Sequence, residues 1–499
     1  MKKIFAIIMT ACLLASLLSV TAFAADAPAE GVVLRVSALK RDDTTVVIQD
    51  YRAFEDGWNA AMELAVNSKA LNANDYARVI VDIYADWNAN DDGEFTEDFF
   101  NGKGFNWDAI YFQPNVRMTL NLNGYTINRG LTEWEYNGEV MYIDSRADVI
   151  INDGTITGGF SCNGAGGIHV NGANVTLNNV NVVGNTVDDD DGAGIALYNG
   201  ATLTMNGGSI ADNKNNSMVD SEGAGVYVCG STAVFESVTF RNNQNTYFAH
   251  SGTALGADQN SAVTMNKCEV IDNGMEDDAL GYCGSISAIT IDGDSRIDII
   301  DTNFTGNGAI ATSLLSAYLS YLIDVNSTSH CYIDNCTFTN NLALYLFSAS
   351  NEDFEVVNSR FQDNTANVFI GYGDNEITFT DCTFSNNAGS QWKGYYSFNL
   401  TVENAKLTFN RCDLGDSTFN DHSRVTFDTS CVGSVLGDAS ETRVSNLRFG
   451  SMIGQGNLSM LLSLLAIFTA CAALGVVISK NKKQKEIPVV AGVSDEDNE

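Results

Sequence analysis

One short pattern of apolar and polar positions repeats along most of the chain, from about residue 148 onward. Each unit has an apolar residue, four further residues, a second apolar residue, two further residues and then, in most units, asparagine. The apolar pairs are Ile151/Ile156, Leu177/Val182, Met205/Ile210, Phe235/Phe240, Met265/Val270, Ile299/Phe304, Ile333/Phe338, Val356/Phe361, Phe379/Phe384 and Phe409/Leu414. Apolar and polar residues alternate within a unit, as in Val175-Thr176-Leu177, which indicates β-strands rather than helices.

The asparagines keep a fixed offset from the second apolar residue but recur at unequal distances. They are Asn185, Asn213, Asn243, Asn273, Asn307, Asn341, Asn364 and Asn387, separated by 28, 30, 30, 34, 34, 23 and 23 residues. A constant motif with variable gaps is typical of a solenoid whose loops differ in length. The shortest unit, of 23 residues, is too short for a helix-plus-strand unit but fits three short strands and three turns. The pattern therefore predicts an all-β fold, a parallel β-helix over residues 116–430.

Stacking of the coils in register gives the repeated residues a physical role. Each apolar position would lie directly over its counterpart about 4.8 Å away, so that the apolar pairs form internal columns. Asparagine tolerates the left-handed conformation, and its amide can hydrogen-bond to backbone or to the asparagine of the next coil. We expect the eight asparagines to form an internal structural ladder. The alternative is a row of exposed turn residues.

The segment before the repeats has a different pattern, and residues 25–115 are predicted to form an N-terminal cap and the first coil. Residues 56–69 read as a helix, with Asp56 as its N-cap and with Trp58, Met62 and Ala65 on one face. A strand is predicted over residues 78–87. Such a cap would cover the open end of the solenoid, which otherwise exposes unpaired strands.

Both ends of the chain carry apolar segments. Residues 1–24 fit a signal peptide, with two lysines, an apolar stretch and the small-residue motif Ala22-Phe23-Ala24. Residues 457–479 are uncharged and long enough to cross a bilayer, so they are predicted to form a single transmembrane helix. The lysines that follow would place the tail, residues 480–499, in the cytoplasm. A retained N-terminal anchor and a buried core helix are the respective alternatives. Residues 431–456 read as a polar spacer.

These ends predict a cell-membrane protein with a single membrane pass and its N-terminal ectodomain outside the cell. The whole chain has 27 basic and 62 acidic residues, a net charge of −35. The predicted ectodomain has 21 basic and 57 acidic residues, so nearly all of the acidity lies there. Nucleic acid is excluded as a partner because phosphate binding needs basic patches. The acidity favours solubility and could gather cations.

Four of the eleven cysteines share one position in the repeat. Cys268, Cys336, Cys382 and Cys412 are predicted to be small, half-buried residues of the solenoid wall. Because adjacent coils are about 4.8 Å apart, a disulfide between Cys382 and Cys412 is an alternative. No Cys-x-x-Cys pair is present, and the cysteines do not predict a zinc site.

Acidic residues recur in the loops that follow the asparagines. The candidates for a metal site are Asp188, Asp189, Asp190, Asp191, Asp220 and Glu222. Grouped carboxylate oxygens could bind calcium, which takes 6–8 oxygen ligands in proteins. A solvated acidic edge is the alternative, because the sequence has neither an EF-hand loop nor a glycine-rich calcium repeat. No cofactor other than calcium is predicted.

The motifs resemble a known group of repeat proteins. Phe-x-x-Asn begins at Phe240, Phe304, Phe338, Phe361 and Phe384, and Gly-Ala-Gly motifs occur at 192–194 and 223–225. These are similar to the polymorphic outer-membrane-protein repeat and, more broadly, to the right-handed parallel β-helix, or pectate-lyase-like, superfamily of bacterial surface proteins. The resemblance covers residues 116–430. It implies a right-handed solenoid, and members of the superfamily include adhesins, passenger domains and polysaccharide lyases or hydrolases.

The chain departs from the outer-membrane type because it ends in one apolar segment rather than in an alternating barrel domain. No lyase-like or hydrolase-like set of acids and bases is present, and no residue is singled out as catalytic. An aromatic strip that could stack on sugars is one interpretation of Tyr318, Tyr321, Tyr345, Tyr372, Trp392, Tyr395 and Tyr396, and packing of most of these rings in the core or loops is the alternative. We therefore expect a non-catalytic surface protein that adheres to or recognises an unknown extracellular protein or glycan. The alternative is a carbohydrate-active enzyme.

Overall fold

A computed structural model describes a solenoid that begins in the N-terminal cap. The described residues are 28–89, 105–106, 109–217, 222–245, 252–275, 287–308, 319–326, 328–349, 354–371, 376–387, 406–418, 424–427, 431–436 and 441–444. The predicted signal peptide, transmembrane helix and cytoplasmic tail lie outside these residues. Within the described part of the chain, no helix has the length and apolar character needed to cross a membrane.

Twenty-six strands form the main sheet, which runs the length of the described solenoid. Its strands are Leu34–Lys40, Thr45–Tyr51, Tyr76–Ile83, Trp87–Asn88, Arg117–Asn121, Thr126–Asn128, Asp148–Thr157, Asn174–Val183, Thr202–Ala211, Thr232–Glu236, Thr239–Arg241, Ala262–Asn266, Glu269–Ile271, Arg296–Ile300, Asn303–Thr305, His330–Asp334, Thr337–Thr339, Phe354–Val357, Arg360–Gln362, Glu376–Thr380, Thr383–Ser385, Lys406–Asn410, Asp413–Thr418, Arg424–Phe427, Val432–Leu436 and Glu441–Val444. From Tyr76–Ile83 onward each strand pairs in parallel with its counterpart one coil away.

A second sheet runs alongside the main sheet, and a short third sheet is present in the coils between residues 160 and 275. The second sheet has 11 strands: Phe105–Asn106, Ala109–Phe112, Met141–Ile143, Ile168–Asn171, Ile195–Tyr198, Val226–Cys229, Leu255–Asp258, Ser287–Ile291, Leu319–Val325, Leu342–Ala349 and Thr365–Gly371. The short sheet has five two-residue strands: Phe160–Ser161, Thr186–Val187, Lys214–Asn215, Gln244–Asn245 and Gly274–Met275. This architecture confirms the predicted all-β parallel β-helix.

The register explains why the apolar pairs recur. Leu177 pairs with Ile151 on one side and Met205 on the other, so equivalent positions stack directly. Every residue of the ten apolar pairs is at most 2% exposed. Each of these side chains contributes about 1.5–3 kcal/mol relative to exposure. The rings of Phe304 and Phe338 stack with centroids 4.8 Å apart, which matches the spacing between coils.

The N-terminal cap places a helix over the first part of this core. The antiparallel strands Leu34–Lys40 and Thr45–Tyr51 join the first rung, and the helix Phe54–Val66 packs against them. Its side chains Trp58 and Met62 are fully buried, as the sequence predicts. A second helix, Ser68–Ala73, follows.

The helix begins two residues before the predicted N-cap, so the assignment of Asp56 as N-cap is wrong. Ala53 occupies the N-cap without a side-chain hydrogen bond, and Asp56 lies in the first turn. Phe54 is the first residue of the helix and is buried, and the centroid of its ring lies 4.8 Å from that of Trp87. The carboxylate of Asp56 still lies near the helix N-terminus, where the helix dipole favours negative charge.

The predicted strand over residues 78–87 is present as two strands, Tyr76–Ile83 and Trp87–Asn88. At the other end, Val432–Leu436 and Glu441–Val444 pair in parallel with the preceding coils. These two strands lie within residues 431–456, for which a spacer is predicted. Parallel pairing therefore runs past residue 430.

Candidate functional site

The eight repeated asparagines form one continuous column inside the solenoid. The side-chain Nδ2 of each of the first seven donates to Oδ1 of the asparagine in the next coil, at distances from 2.9 to 3.1 Å between Asn185 and Asn387. The same Oδ1 atoms accept the backbone N–H of the preceding asparagine, as Asn273 does from Asn243 at 3.0 Å. All eight are at most 6% exposed. The geometry is that of an interior amide ladder rather than a row of exposed turn residues.

The left-handed residue of this turn is the one before each asparagine and not the asparagine itself. The residues with positive φ are Gly184, Asp212, Asn242, Asp272, Gly306, Asn340, Asp363 and Asn386. Glycine, asparagine and aspartate adopt this conformation at the lowest cost. After this left-handed residue, the side-chain amide of the asparagine points into the solenoid. There it forms hydrogen bonds with backbone N–H and carbonyl groups at the corner of the coil.

The four repeated cysteines line a second interior column. They are at most 2% exposed, so they are buried rather than half-buried as predicted. Each Sγ contacts two backbone carbonyls, as Cys382 does with Val356 O and Thr380 O at 3.5 and 3.4 Å. Thr302 and Ser359 fill this column in the coils between cysteines, where their hydroxyls accept backbone N–H groups. Cys382 and Cys412 are both free thiols.

A serine column at another corner is a feature that the sequence analysis missed. The hydroxyls of Ser231, Ser261, Ser295 and Ser329 each accept a backbone N–H from the preceding coil at 2.9–3.2 Å. Their spacings of 30, 34 and 34 residues match those of three of the asparagine intervals. This coincidence of spacing is the sequence signal that would have revealed the column.

The acidic loop at residues 188–191 is held by backbone donors. Asp190 Oδ2 accepts Gly164 N and Asp191 Oδ1 accepts Glu222 N, both at 2.6 Å. Burial raises the pKa of Asp191 to about 7. Asp189 in the same loop is exposed, whereas Asp188 is half-buried like Asp190 and Asp191. Asp220 lies outside the described residues.

No three side chains of histidine, cysteine, aspartate or glutamate converge to hold a metal ion in the part of the chain that the structure describes. Two of the carboxylates in this loop are instead engaged by backbone N–H groups. Calcium binding by these acidic residues therefore stays a prediction.

A row of rings that the sequence analysis missed crosses the outer face of the second sheet. Tyr111, Tyr142, His169, Tyr198 and Tyr227 follow one another with centroids 4.6–5.8 Å apart. Most of these rings occupy the polar position of strands such as AIYF, MYI and IHV, where the flanking residues are buried. Because the rings pack against one another, their faces are largely occupied and cannot all serve as a platform for sugar rings.

His169 lies at the centre of this row. Its ring stacks on Tyr142 at 4.6 Å and 15° and lies 5.1 Å from Tyr198. Its Nδ1 is buried and has no hydrogen-bond partner among the described residues. Burial lowers the pKa of His169 to about 4, although the nearby carboxylates of Asp190 and Asp144 oppose this shift. At neutral pH the imidazole is therefore uncharged.

A buried carboxyl lies close to this row. Glu139 is 1% exposed, and its Oε2 has no hydrogen-bond partner within the described residues. Burial raises the pKa of Glu139 to about 8, and the charge of Arg129 only partly offsets this. Arg129 is itself 1% exposed and pairs with Glu135 at 3.2 Å. Glu139 and Arg129 are thus both buried titratable groups, whereas Glu135 is exposed.

The predicted aromatic strip of the later coils is described only in part. Tyr321 and Tyr345 stack with centroids 6.2 Å apart, and Tyr321 is 9% exposed. The other five predicted members, Tyr318, Tyr372, Trp392, Tyr395 and Tyr396, lie outside the described residues. The two described rings pack against each other along the second sheet.

One loop of an early coil presents aromatic rings to solvent. Trp134 and Tyr136 are 57% and 67% exposed, and the other large apolar side chains exposed in the described residues, Val47, Ile48 and Val66, are aliphatic and lie in the cap. Neither ring has a hydrogen-bond or ring partner among the described residues. Unlike the row around His169, these rings have faces that are open to a ligand.

A cavity of about 510 Å³ opens between the cap and the first rungs. Its lining includes Arg41 and Arg117 together with Asn72 and Asn115. Arg41 contacts Asp75 at 3.5 Å and Asn72 at 3.1 Å. The cavity lacks a carboxyl or imidazole among its lining residues, so it does not bring together the acid and base of a hydrolase.

The fold and these columns define a class of protein: a parallel β-solenoid whose corners are closed by stacked interior polar side chains. The family model of the right-handed beta helix region matches residues 121–304 and 287–449, about two thirds of the chain. The chain therefore belongs to the right-handed β-helix family. No curated protein matches it.

Proposed function

We propose that this protein is a membrane-anchored cell-surface β-helix that recognises an extracellular protein or glycan without catalysing a reaction. Residues 457–479 would anchor the solenoid at its C-terminal end. The N-terminal cap and the early coils would then lie farthest from the membrane. A stack of coils about 4.8 Å apart is a rigid way to project a binding surface away from a cell.

The observation that carries the proposal is the contrast between enclosed and exposed groups. The Nδ1 atom of His169 and the carboxyl of Glu139 are buried, so these polar atoms are not presented to a polysaccharide chain at the surface. The open rings of Trp134 and Tyr136 lie near the N-terminal end of the solenoid. Exposed aromatic side chains are typical of recognition surfaces because they bury large areas at a low cost in conformational entropy.

Two experiments test the proposal. Protease treatment of intact cells should remove the ectodomain and leave the C-terminal tail protected. The full-length protein in detergent, applied to glycan and protein arrays, should bind a limited set of ligands. Cells that show no cleavage from outside, or arrays that show no binding, would contradict the proposal.

Incubation with a panel of polysaccharides separates recognition from catalysis. The proposal expects no new reducing or unsaturated ends. Their appearance would favour the carbohydrate-active enzyme instead, and a variant with Glu139→Gln and His169→Gln would show whether the enclosed groups take part.

A further inference from the structure

The loop that carries Trp134 and Tyr136 is built as a fixed support. Glu135 N donates to Phe160 O at 2.9 Å, and Cys162 N donates to Glu135 O at 3.1 Å, which ties the loop to the next coil. Glu135 also forms a parallel bridge with Ser161. The backbone between the two rings is therefore anchored to the solenoid rather than extended into solvent.

The side chain of Glu135 helps to hold the loop between the two rings. Its carboxylate pairs with the guanidinium of Arg129, which is 1% exposed. A turn follows, in which Gly138 N donates to Glu135 O at 3.2 Å, so Trp134 and Tyr136 lie on either side of the residue that holds the loop. The measured exposures of Trp134 and Tyr136 agree with this arrangement.

The charge around the two rings indicates the sign of the charge that a ligand should carry. Residues 130–145 contain four acidic residues and no lysine or arginine. The nearest cation, Arg129, is buried and paired with Glu135, so it cannot attract an anion to the loop. Glu133 is exposed next to Trp134. A net charge of −35 adds a long-range field that draws cations toward the surface and repels anions.

We propose that the loop at residues 131–137 binds a basic segment of an extracellular protein, with lysine or arginine side chains over the open faces of Trp134 and Tyr136. A cation near an aromatic face is attracted by the ring quadrupole, most strongly by tryptophan. The carboxylate of Glu133 accepts hydrogen bonds from the same cationic groups. A neutral sugar could stack on these rings but would gain nothing from the surrounding negative charge. This inference rests on the proposed function and names its partner class.

The test uses full-length protein in detergent and measures binding of an oligolysine peptide by isothermal titration calorimetry. An oligoserine peptide of equal length and a neutral oligosaccharide are the comparison ligands. We expect oligolysine to bind and its affinity to fall as salt is added. Trp134→Ala combined with Tyr136→Ala should weaken this binding by about tenfold or more, whereas Trp134→Phe combined with Tyr136→Phe should weaken it by about threefold or less.

A matched control uses Val47→Ala combined with Ile48→Ala, which removes similarly exposed apolar surface from the cap. It should leave the affinity for oligolysine unchanged. Circular dichroism and melting curves of each variant establish that the fold is retained, which is expected because the changed side chains are exposed.

Each contrary outcome has a distinct meaning. Oligolysine binding that survives loss of both rings would overturn the inference, because the acidic surface as a whole would then be responsible. Binding of the oligosaccharide through Trp134 in place of oligolysine would also overturn it, while leaving surface recognition intact. If ligands from the arrays still bind the variant with Trp134→Ala and Tyr136→Ala, the proposed recognition function is also sustained. If the arrays show no ligand at all, the proposed function itself is contradicted.

Discussion

Replacing Asn273 by aspartate tests the interior amide ladder with almost no change in side-chain shape. Asn273 Nδ2 donates to Asn307 Oδ1 and Phe240 O at 3.0 Å and to Ile271 O at 3.1 Å. A carboxylate would place a second acceptor oxygen beside these three acceptors. Its other oxygen could still accept the backbone and side-chain donors of Asn243, which lie at 3.0 and 2.9 Å.

The expected destabilisation follows from the hydrogen bonds that the substitution removes. Asn273 is fully buried, so the acceptors that are deprived of their donor have no access to water. Each buried unsatisfied group costs about 1–3 kcal/mol, and an uncompensated buried charge adds to this cost. We expect Asn273→Asp to lower the free energy of unfolding by about 3–5 kcal/mol at neutral pH.

The loss of stability should depend on pH in a defined direction. Burial beside acceptors raises the pKa of the introduced aspartate above its value in the unfolded chain. The protonated acid can donate one hydrogen bond, so the variant is most stable below the unfolded pKa of about 3.9 and loses stability as pH rises. The measurement is the urea midpoint of the variant relative to that of the wild type at each pH, followed by circular dichroism.

Asn206 provides the matched control because it belongs to a similar amide contact on the outside of the solenoid. Its Nδ2 donates to Asn178 Oδ1 at 2.9 Å, but the residue is exposed. Asn206→Asp should cost less than about 1 kcal/mol, since water replaces the missing hydrogen bond. Equal destabilisation at the two positions, or a destabilisation at Asn273 that does not change with pH, would refute the reasoning.

Three further predictions concern buried or acidic groups. Burial raises the pKa of Glu139 to about 8, so its contribution to the free energy of unfolding is present below about pH 4.5 and is lost as the pH rises to about 8. This pH dependence is worth up to about 5 kcal/mol. Urea titrations across this pH range should show it in the wild type but not in Glu139→Gln. Contact with the Cys382 thiol raises the pKa of Cys412 to about 12, and both cysteines are buried. Mass spectrometry should therefore find both of them alkylated only after the protein is unfolded. Rapid labelling of the folded protein would contradict their burial. Calcium binding at residues 188–191 predicts a higher melting temperature with calcium than with chelator, and identical curves would exclude it.

The sequence predicts the solenoid well because its strongest constraint is local and repeated. The offset between Phe338 and Asn341 is the same in Phe361 and Asn364, although the units differ in length. Stacking requires each position to suit the one above and below, so the same residue types recur at the same offset. This is why the apolar columns and the amide column could be predicted without knowledge of the loops.

The surface could not be predicted in the same way, because it depends on how loops fold over neighbouring coils. His169 stacks on Tyr142 because the two are register partners on neighbouring strands, but the unequal loops between these strands hide that pairing in the sequence. The burial of Glu139 likewise depends on contacts with other coils. The helix likewise begins two residues before Asp56, at Phe54, whose ring stacks on Trp87, a contact between residues far apart in the sequence.

Unit length accounts for where the distinctive surface lies. In the short unit after Asn341, the strand Leu342–Ala349 of the second sheet follows the asparagine at once. After Asn185, in a unit of 28 residues, the short strand Thr186–Val187 and the acidic loop come before the second sheet resumes at Ile195. The 23-residue units thus hold little more than the coil itself. The added residues of the longer units that follow Asn185, Asn213, Asn243 and Asn273 include the strands of the short sheet, so the surface open to specialisation lies on these units rather than on the 23-residue units.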